Sequence, residues 1–315
     1  MSNDNRRGSL IERAAEIYDF GAALRGRGAT FAPPVEEFAK PREAEGSAVE
    51  HDFATTVTPA AAAPAAAIAR SGTVASIDRA LLQDSGFIVP EAPVSTLAEE
   101  FRLVKRQLLL RAGGETRART AKDRMILVCS AQPNEGKTFC AVNLALSLAS
   151  ERDSEVLLVD ADVAKPGVLA TLGLDTASGL IDAIAEPTLD VERLIIATDI
   201  PKLSILPAGT ATHNDTELLS SARAAEIIAA LATANERRIV IIDSAPALAA
   251  SPASVLAHRV GRVLMIVRAD RTKESDLQEA IALLDGCDDI SLLLNGASFF
   301  GTNRTYGSYC GSDQS

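Results

Sequence analysis

A short apolar run, Met125–Cys129, leads into Ala131-Gln-Pro-Asn-Glu-Gly-Lys-Thr138, and this junction constrains the fold more than any other feature of the chain. The string has the spacing of a P-loop, with Ala131 in place of the first glycine. Backbone N–H groups of such a loop face inward, and the start of the following helix adds its positive end, so phosphates are cradled. Gly136 permits close backbone approach. Lys137 places a point charge on the β- and γ-phosphates, and the Thr138 hydroxyl is a ligand for Mg²⁺. The nucleotide-contacting set is therefore Asn134, Glu135, Gly136, Lys137, Thr138 and Phe139.

The context repeats the strand–loop–helix theme. Helical spacing runs from about Lys137 to Ser150, and further apolar runs follow at Val156–Val159, Leu203–Leu206, Ile239–Ile242, Val263–Val267 and Ile290–Leu294. Helical patterns such as Glu217 to Ala232 and Lys273 to Leu284 lie between most of them. Apolar strands alternating with helices predict an α/β fold with a mainly parallel sheet covered on both faces. Ligands in such sheets bind outside the carboxyl ends of the strands.

Carboxylates stand at those ends. Val156-Leu-Leu-Val leads into Asp160-Ala-Asp162, and Ile239-Val-Ile-Ile leads into Asp243. The second reads as a Walker B strand whose Asp243 holds Mg²⁺. Asp160 and Asp162 face the same way if their strand continues; the alternative is a pair of turn or N-cap aspartates. Ser244 follows Asp243 where many P-loop ATPases place a water-activating Glu, which argues against a fast hydrolase. Asn295 sits in Leu-Asn-Gly-Ala and not in N-K-x-D, which favours ATP over GTP.

Composition narrows the classes. The 315-residue chain carries a formal net charge of −11, so a nucleic-acid partner is not expected. Cys129, Cys140, Cys287 and Cys310 include no C-x-x-C pair, and His51, His213 and His258 lack metal-ligand or triad spacing. The first residues are polar and charged, and the Ala60–Ala69 stretch is broken by Pro64 and too short to span a bilayer. A cytoplasmic protein is expected, peripheral to the inner membrane only through a partner.

Three regions are expected. Residues 1–28 hold an amphipathic helix opened by the capping box Ser9-Leu-Ile-Glu12. Residues 29–76 are rich in Ala, Pro, Thr and Glu and read as a disordered linker. Residues 77–315 form the P-loop domain, entered by an amphipathic helix over Thr96–Arg111 with Leu97, Phe101, Val104 and Leu108 on one stripe and Glu99, Arg102, Lys105 and Arg106 on the other face. Two of the three tyrosines, Tyr306 and Tyr309, fall in the polar, Gly- and Ser-rich last ten residues. Tyrosines there have no core to fill and read as phosphate acceptors. A phenol with a pKa near ~10 needs a base, and Asp160 is the candidate.

These residues together resemble the bacterial P-loop tyrosine autokinases of polysaccharide export, of the deviant Walker A type. The resemblance rests on Ser130–Thr138, on Asp160-Ala-Asp162 with Pro166 following, on Ile241-Ile-Asp243-Ser and on the terminal tyrosines. Ser9-Leu-Ile-Glu-Arg-Ala and Glu99-Glu-Phe-Arg-Leu-Val-Lys-Arg106 are similar to segments of the exosortase-associated group. The resemblance implies ATP and Mg²⁺ as cofactors. It implies Asp160 as base, Asp162 supporting metal and lysine, Thr138 and Asp243 at the metal, and Tyr306 and Tyr309 as phosphoacceptors. It also implies ring-shaped homo-oligomers through Glu99, Arg102 and Lys105, and a membrane-anchored polysaccharide chain-length regulator as activator. Two other readings stay open: a partition- or division-type ATPase switch, which would carry an extra lysine where Gln132 stands, and an ATP-binding scaffold of an export complex.

Overall fold

A computed structural model describes residues 74–111, 120–249 and 251–297. The helix expected over 1–28, nearly all of the linker expected over 29–76, and Tyr306 and Tyr309 lie outside the described residues.

The apolar runs become β1 (Met125–Ser130), β2 (Glu155–Ala161), β3 (Ile196–Ala197), β4 (Leu203–Leu206), β5 (Arg238–Ser244), β6 (Arg262–Arg268) and β7 (Ile290–Asn295). They form one sheet in the order β3-β4-β2-β5-β1-β6-β7. All neighbours are parallel except the two-residue β3, which runs antiparallel to β4. The α/β class and mainly parallel sheet expected from the sequence are what the chain forms. The helices are α1 (Arg79–Asp84), α2 (Thr96–Arg111), α3 (Lys137–Ala149), α4 (Val168–Thr171), α5 (Leu180–Ala185), α6 (Asp215–Ser220), α7 (Ala222–Thr233), α8 (Pro252–Ala257) and α9 (Glu274–Leu283).

Strands buried on both faces read as unbroken apolar runs because successive side chains enter opposite layers. On one face Met125, Leu127 and Cys129 of β1 join Leu180 of α5, Ile227 and Leu231 of α7, Leu256 of α8 and Ala280 of α9. On the other, Ile126 and Val128 join Phe101 and Leu108 of α2 and Leu144 and Leu148 of α3. The stripe expected on α2 is therefore its packing face. Helical spacing over Glu217 to Ala232 resolves into two helices, α6 and α7. Ser221 is extended between them, and its hydroxyl accepts from Ala224 N–H at 3.1 Å. A serine that caps a new helix interrupts the old one, and periodicity alone does not register the break.

The charged face of α2 needs a correction. Arg102 is exposed and Glu99 half-buried, and the two pair with each other. Lys105, expected beside them on a free surface, is buried. Its ammonium donates to Ser147 O at 2.9 Å and Ser150 Oγ at 3.0 Å and pairs with Glu151 at 2.7 Å. Lys105 satisfies carbonyl and hydroxyl groups where α3 ends, a position that favours a cation. A long side chain that lies along an apolar layer and bonds at its tip looks, in sequence, like a solvated one.

Candidate functional site

The loop between β1 and α3 lies at the carboxyl edge of the sheet, and two distant segments brace it. Asn134 and Gly136 both have left-handed backbone, with φ of 63° and 97°. Glu135 between them is buried and folds back. One carboxylate oxygen accepts from Gln132 N–H at 2.9 Å, and the other accepts from the Thr272 hydroxyl on the β6–α9 connection. From the end of β7, the Asn295 amide donates to Glu135 O at 2.9 Å. That amide lies 2.1 Å from where a Cβ on residue 136 would stand. Position 136 therefore requires glycine twice over, for backbone conformation and for space.

Helix α3 opens on Lys137 and Thr138. The Lys137 ammonium is buried, 3.8 Å from Asp162 Oδ2, and the Thr138 hydroxyl donates to Asp243 Oδ2 at 2.6 Å. Pairing of β2 with β5 sets Asp160 opposite Asp243. Strand β2 ends at Ala161, so Asp162 begins a turn and does not continue the strand. Both aspartates remain buried. The expectation of a shared edge for Asp160, Asp162 and Asp243 therefore matches the geometry, although the alternation argument for Asp160 and Asp162 does not.

Asp160 is enclosed by backbone. It accepts from Asp162 N–H at 3.2 Å and from Gly167 and Val168 N–H at 3.0 Å each. Burial pushes its carboxyl up to about 6, against the lowering effect of those three bonds. A carboxylate with that affinity for a proton can accept one near neutral pH. Burial likewise pushes the Asp243 carboxyl up to about 7, opposed by the Thr138 hydrogen bond and reinforced by Asp160.

Asp243 Oδ1 is buried with no hydrogen-bond partner. A buried oxygen acceptor without a donor, beside the Thr138 hydroxyl, suits a hard divalent cation. Mg²⁺ is held by one or two protein oxygens, waters and substrate phosphates. Among the described residues no cluster of three or more His, Cys, Asp or Glu could hold a metal by itself, so phosphate oxygens would have to complete the shell. Asp243→Asn is expected to raise the melting temperature of nucleotide-free protein by several degrees at pH 8, because it removes a buried, partly unsolvated charge. The sign follows from linkage. The folded carboxyl holds its proton up to about pH 7, and the unfolded one only to about 4. Its stabilising contribution is thus complete below about pH 4 and is lost as pH rises through about 7. The gap between the two proteins should close on acidification; thermal melts of both from pH 4 to 8 measure it.

The remaining expected residues separate. Phe139 packs its ring against Phe87, with centroids 4.8 Å apart, in the apolar layer beneath α2. Only its backbone N–H remains for a phosphate. Thr272 and Asn295 support the loop but had no sequence signal beyond their positions, Thr272 shortly after β6 and Asn295 at the end of β7.

Residues 124–270 match the family model AAA_31, described as an AAA domain. The chain is similar to the tyrosine-protein kinase YwqD of Bacillus subtilis, 26% identical over 69% of this chain and 88% of that protein. It is also similar to the succinoglycan biosynthesis transport protein ExoP of Rhizobium meliloti, 35% identical over 59% of this chain. ExoP is far longer, and the matched part spans 23% of its length. The chain spans only 21% of the first curated relatives it matches. Among solved structures, the VpsO kinase domain superposes with a TM-score of 0.52 and 28% identity, over 65% of this chain and all of that one. Other matched relatives, YwqD among them, bear the names of tyrosine-protein kinases, and the fold is that of solved kinase domains.

Proposed function

We propose that this chain, an AAA-domain relative of the bacterial tyrosine-protein kinases, is an ATP- and Mg²⁺-dependent protein-tyrosine autokinase acting on its own Tyr306 and Tyr309. The observation that carries the reading is the convergence of Lys137, Thr138, Asp160, Asp162 and Asp243 on one sheet edge. In this reading Asn134, Glu135, Gly136 and the N-terminus of α3 supply backbone donors to the phosphates. Lys137 neutralises charge on the transferring group, with Asp162 orienting its ammonium. Thr138 and Asp243 would hold Mg²⁺, which would offset phosphate charge when bound. Asp160 takes the phenolic proton as the tyrosine oxygen bonds to the γ-phosphorus and the bond to the β-phosphate oxygen breaks, releasing ADP.

The strand order favours the tail as acceptor. Strand β7 is parallel to β6, and its last residue, Asn295, touches the loop. The chain beyond therefore departs from the rim of the site. Eleven residues, extended, span at most about 36–40 Å, enough to reach this site or a neighbouring subunit's. A hydrolytic switch fits less well. Ser244 donates to Val128 O at 3.1 Å, so the position after Asp243 stitches β5 to β1 and activates no water. Gln132, where a switch would carry lysine, bonds Asp276 at 3.1 Å. The relatives' names extend the proposal to regulation of polysaccharide polymerisation or export. In that setting the activator is a membrane-anchored chain-length regulator, and Glu99 and Arg102 form a contact between like subunits. Among the described residues no helix is long and apolar enough to cross a membrane.

Incubation with ATP and Mg²⁺ followed by mass spectrometry tests the proposal. Phosphotyrosine is expected on the tail, and changing both Tyr306 and Tyr309 to Phe should remove nearly all of it while ATP binding persists. Phosphate retained on the double variant would place the main acceptor elsewhere, and absence of any phosphotyrosine would favour the switch or scaffold.

A further inference from the structure

Lys165 is a cation at the rim of the loop that the roles above do not use. The turn carrying it is fixed at both ends. Its N–H donates to Asp162 O at 3.1 Å and to Asp162 Oδ1 at 3.3 Å. Two and three residues on, the N–H groups of Gly167 and Val168 close on the Asp160 carboxylate at 3.0 Å. A Cβ on Gly167 would stand 3.5 Å from the Thr138 methyl and 3.6 Å from its hydroxyl. The turn thus lies against the first residues of α3. Its geometry delivers the Lys165 ammonium to the crest of the loop, 3.4 Å from Asn134 Oδ1.

That contact is long for a hydrogen bond, joins two exposed residues and ends on a neutral oxygen, so it exchanges readily for a better acceptor. The charge at this edge also asks for one. Asp160, Asp162 and Asp243 are all buried here, and the one buried ammonium, Lys137, is turned toward Asp162. Binding a triphosphate adds several more negative charges. A compact, mobile ammonium on a flexible stem suits a terminal phosphate at the mouth of a loop.

We propose that Lys165 leaves Asn134 for the terminal phosphate of a bound nucleoside triphosphate and makes the site prefer tri- over diphosphate. This rests on the nucleotide-site reading above. Each phosphotransfer would remove that partner, so the diphosphate is held without the contribution of Lys165.

Calorimetric titration tests this without turnover, with a non-hydrolysable ATP analogue and ADP as probes, each with Mg²⁺. The parent should bind the analogue more tightly than ADP. Lys165→Ala should weaken the analogue about tenfold, as loss of one charge-assisted hydrogen bond allows, and leave ADP within about twofold of the parent. Lys165→Arg should keep the parent's preference. Equal weakening of both probes, or an unchanged ratio, overturns the inference while the nucleotide site stands. A parent that binds neither probe overturns both.

Discussion

Lys137→Ala should reduce tyrosine phosphorylation by about 10³-fold or more. Removing one preorganised donor from developing charge typically costs about 10²–10³. Here the ammonium is also a buried cation beside three buried carboxylates. Its loss leaves Asp162 facing incoming phosphate without a counter-charge, so ATP affinity should fall as well. Equilibrium binding of ATP with Mg²⁺ and phosphotyrosine yield in single turnover measure the two losses separately. Retained binding and transfer at the parent's level would mean that the loop is not the phosphate site.

Asp160→Asn should leave nucleotide binding in place and reduce phosphotransfer about 10²–10⁴-fold, the range for a positioned general base. The parent should show a matching pH dependence. Its carboxyl sits at about 6, and only the deprotonated form accepts the phenolic proton. The rate should therefore fall as pH drops through about 6, and the variant's residual rate should lack that limb. The structure also supplies the competing account: Asp160 holds the turn that ends at Val168 through Gly167 and Val168 N–H. An asparagine keeps an acceptor for those two groups and loses the one facing Asp162 N–H, so thermal melting is the control. A variant that folds, binds and still transfers phosphate near the parent's rate would leave Asp160 a structural clasp.

The two predictions draw on different kinds of information. Lys137 was legible from a string of eight consecutive residues, because the motif is local: strand, turn and helix start are contiguous in the chain. The carboxylates were legible as types and positions, since apolar runs that end in Asp put it at the carboxyl edge. Their protonation was not legible. Raised affinity for protons comes from burial, and burial depends on which elements cover the site.

On α2 the same contrast appears within one helix. Its length and its apolar stripe followed from helical spacing, which a short window contains. The destination of Lys105 did not, because a lysine that bonds Ser147 O forty-two residues away has the same local pattern as one in water. Phe139 repeats the lesson in reverse. It sits in the motif, yet its ring belongs to the layer shared with Phe87.

By itself the sequence determined the strand–loop–helix unit, the alternation that makes a parallel sheet, and the carboxylates at strand ends, since each is set by the preferences of near neighbours. The tertiary structure alone decided that β2 lies beside β5 and brings Asp160 opposite Asp243. It alone placed Thr272 and Asn295 against the loop and Lys165 at its crest. Strand order is settled by how whole layers pack, and periodicity along the chain carries no record of which strand will be the neighbour of which.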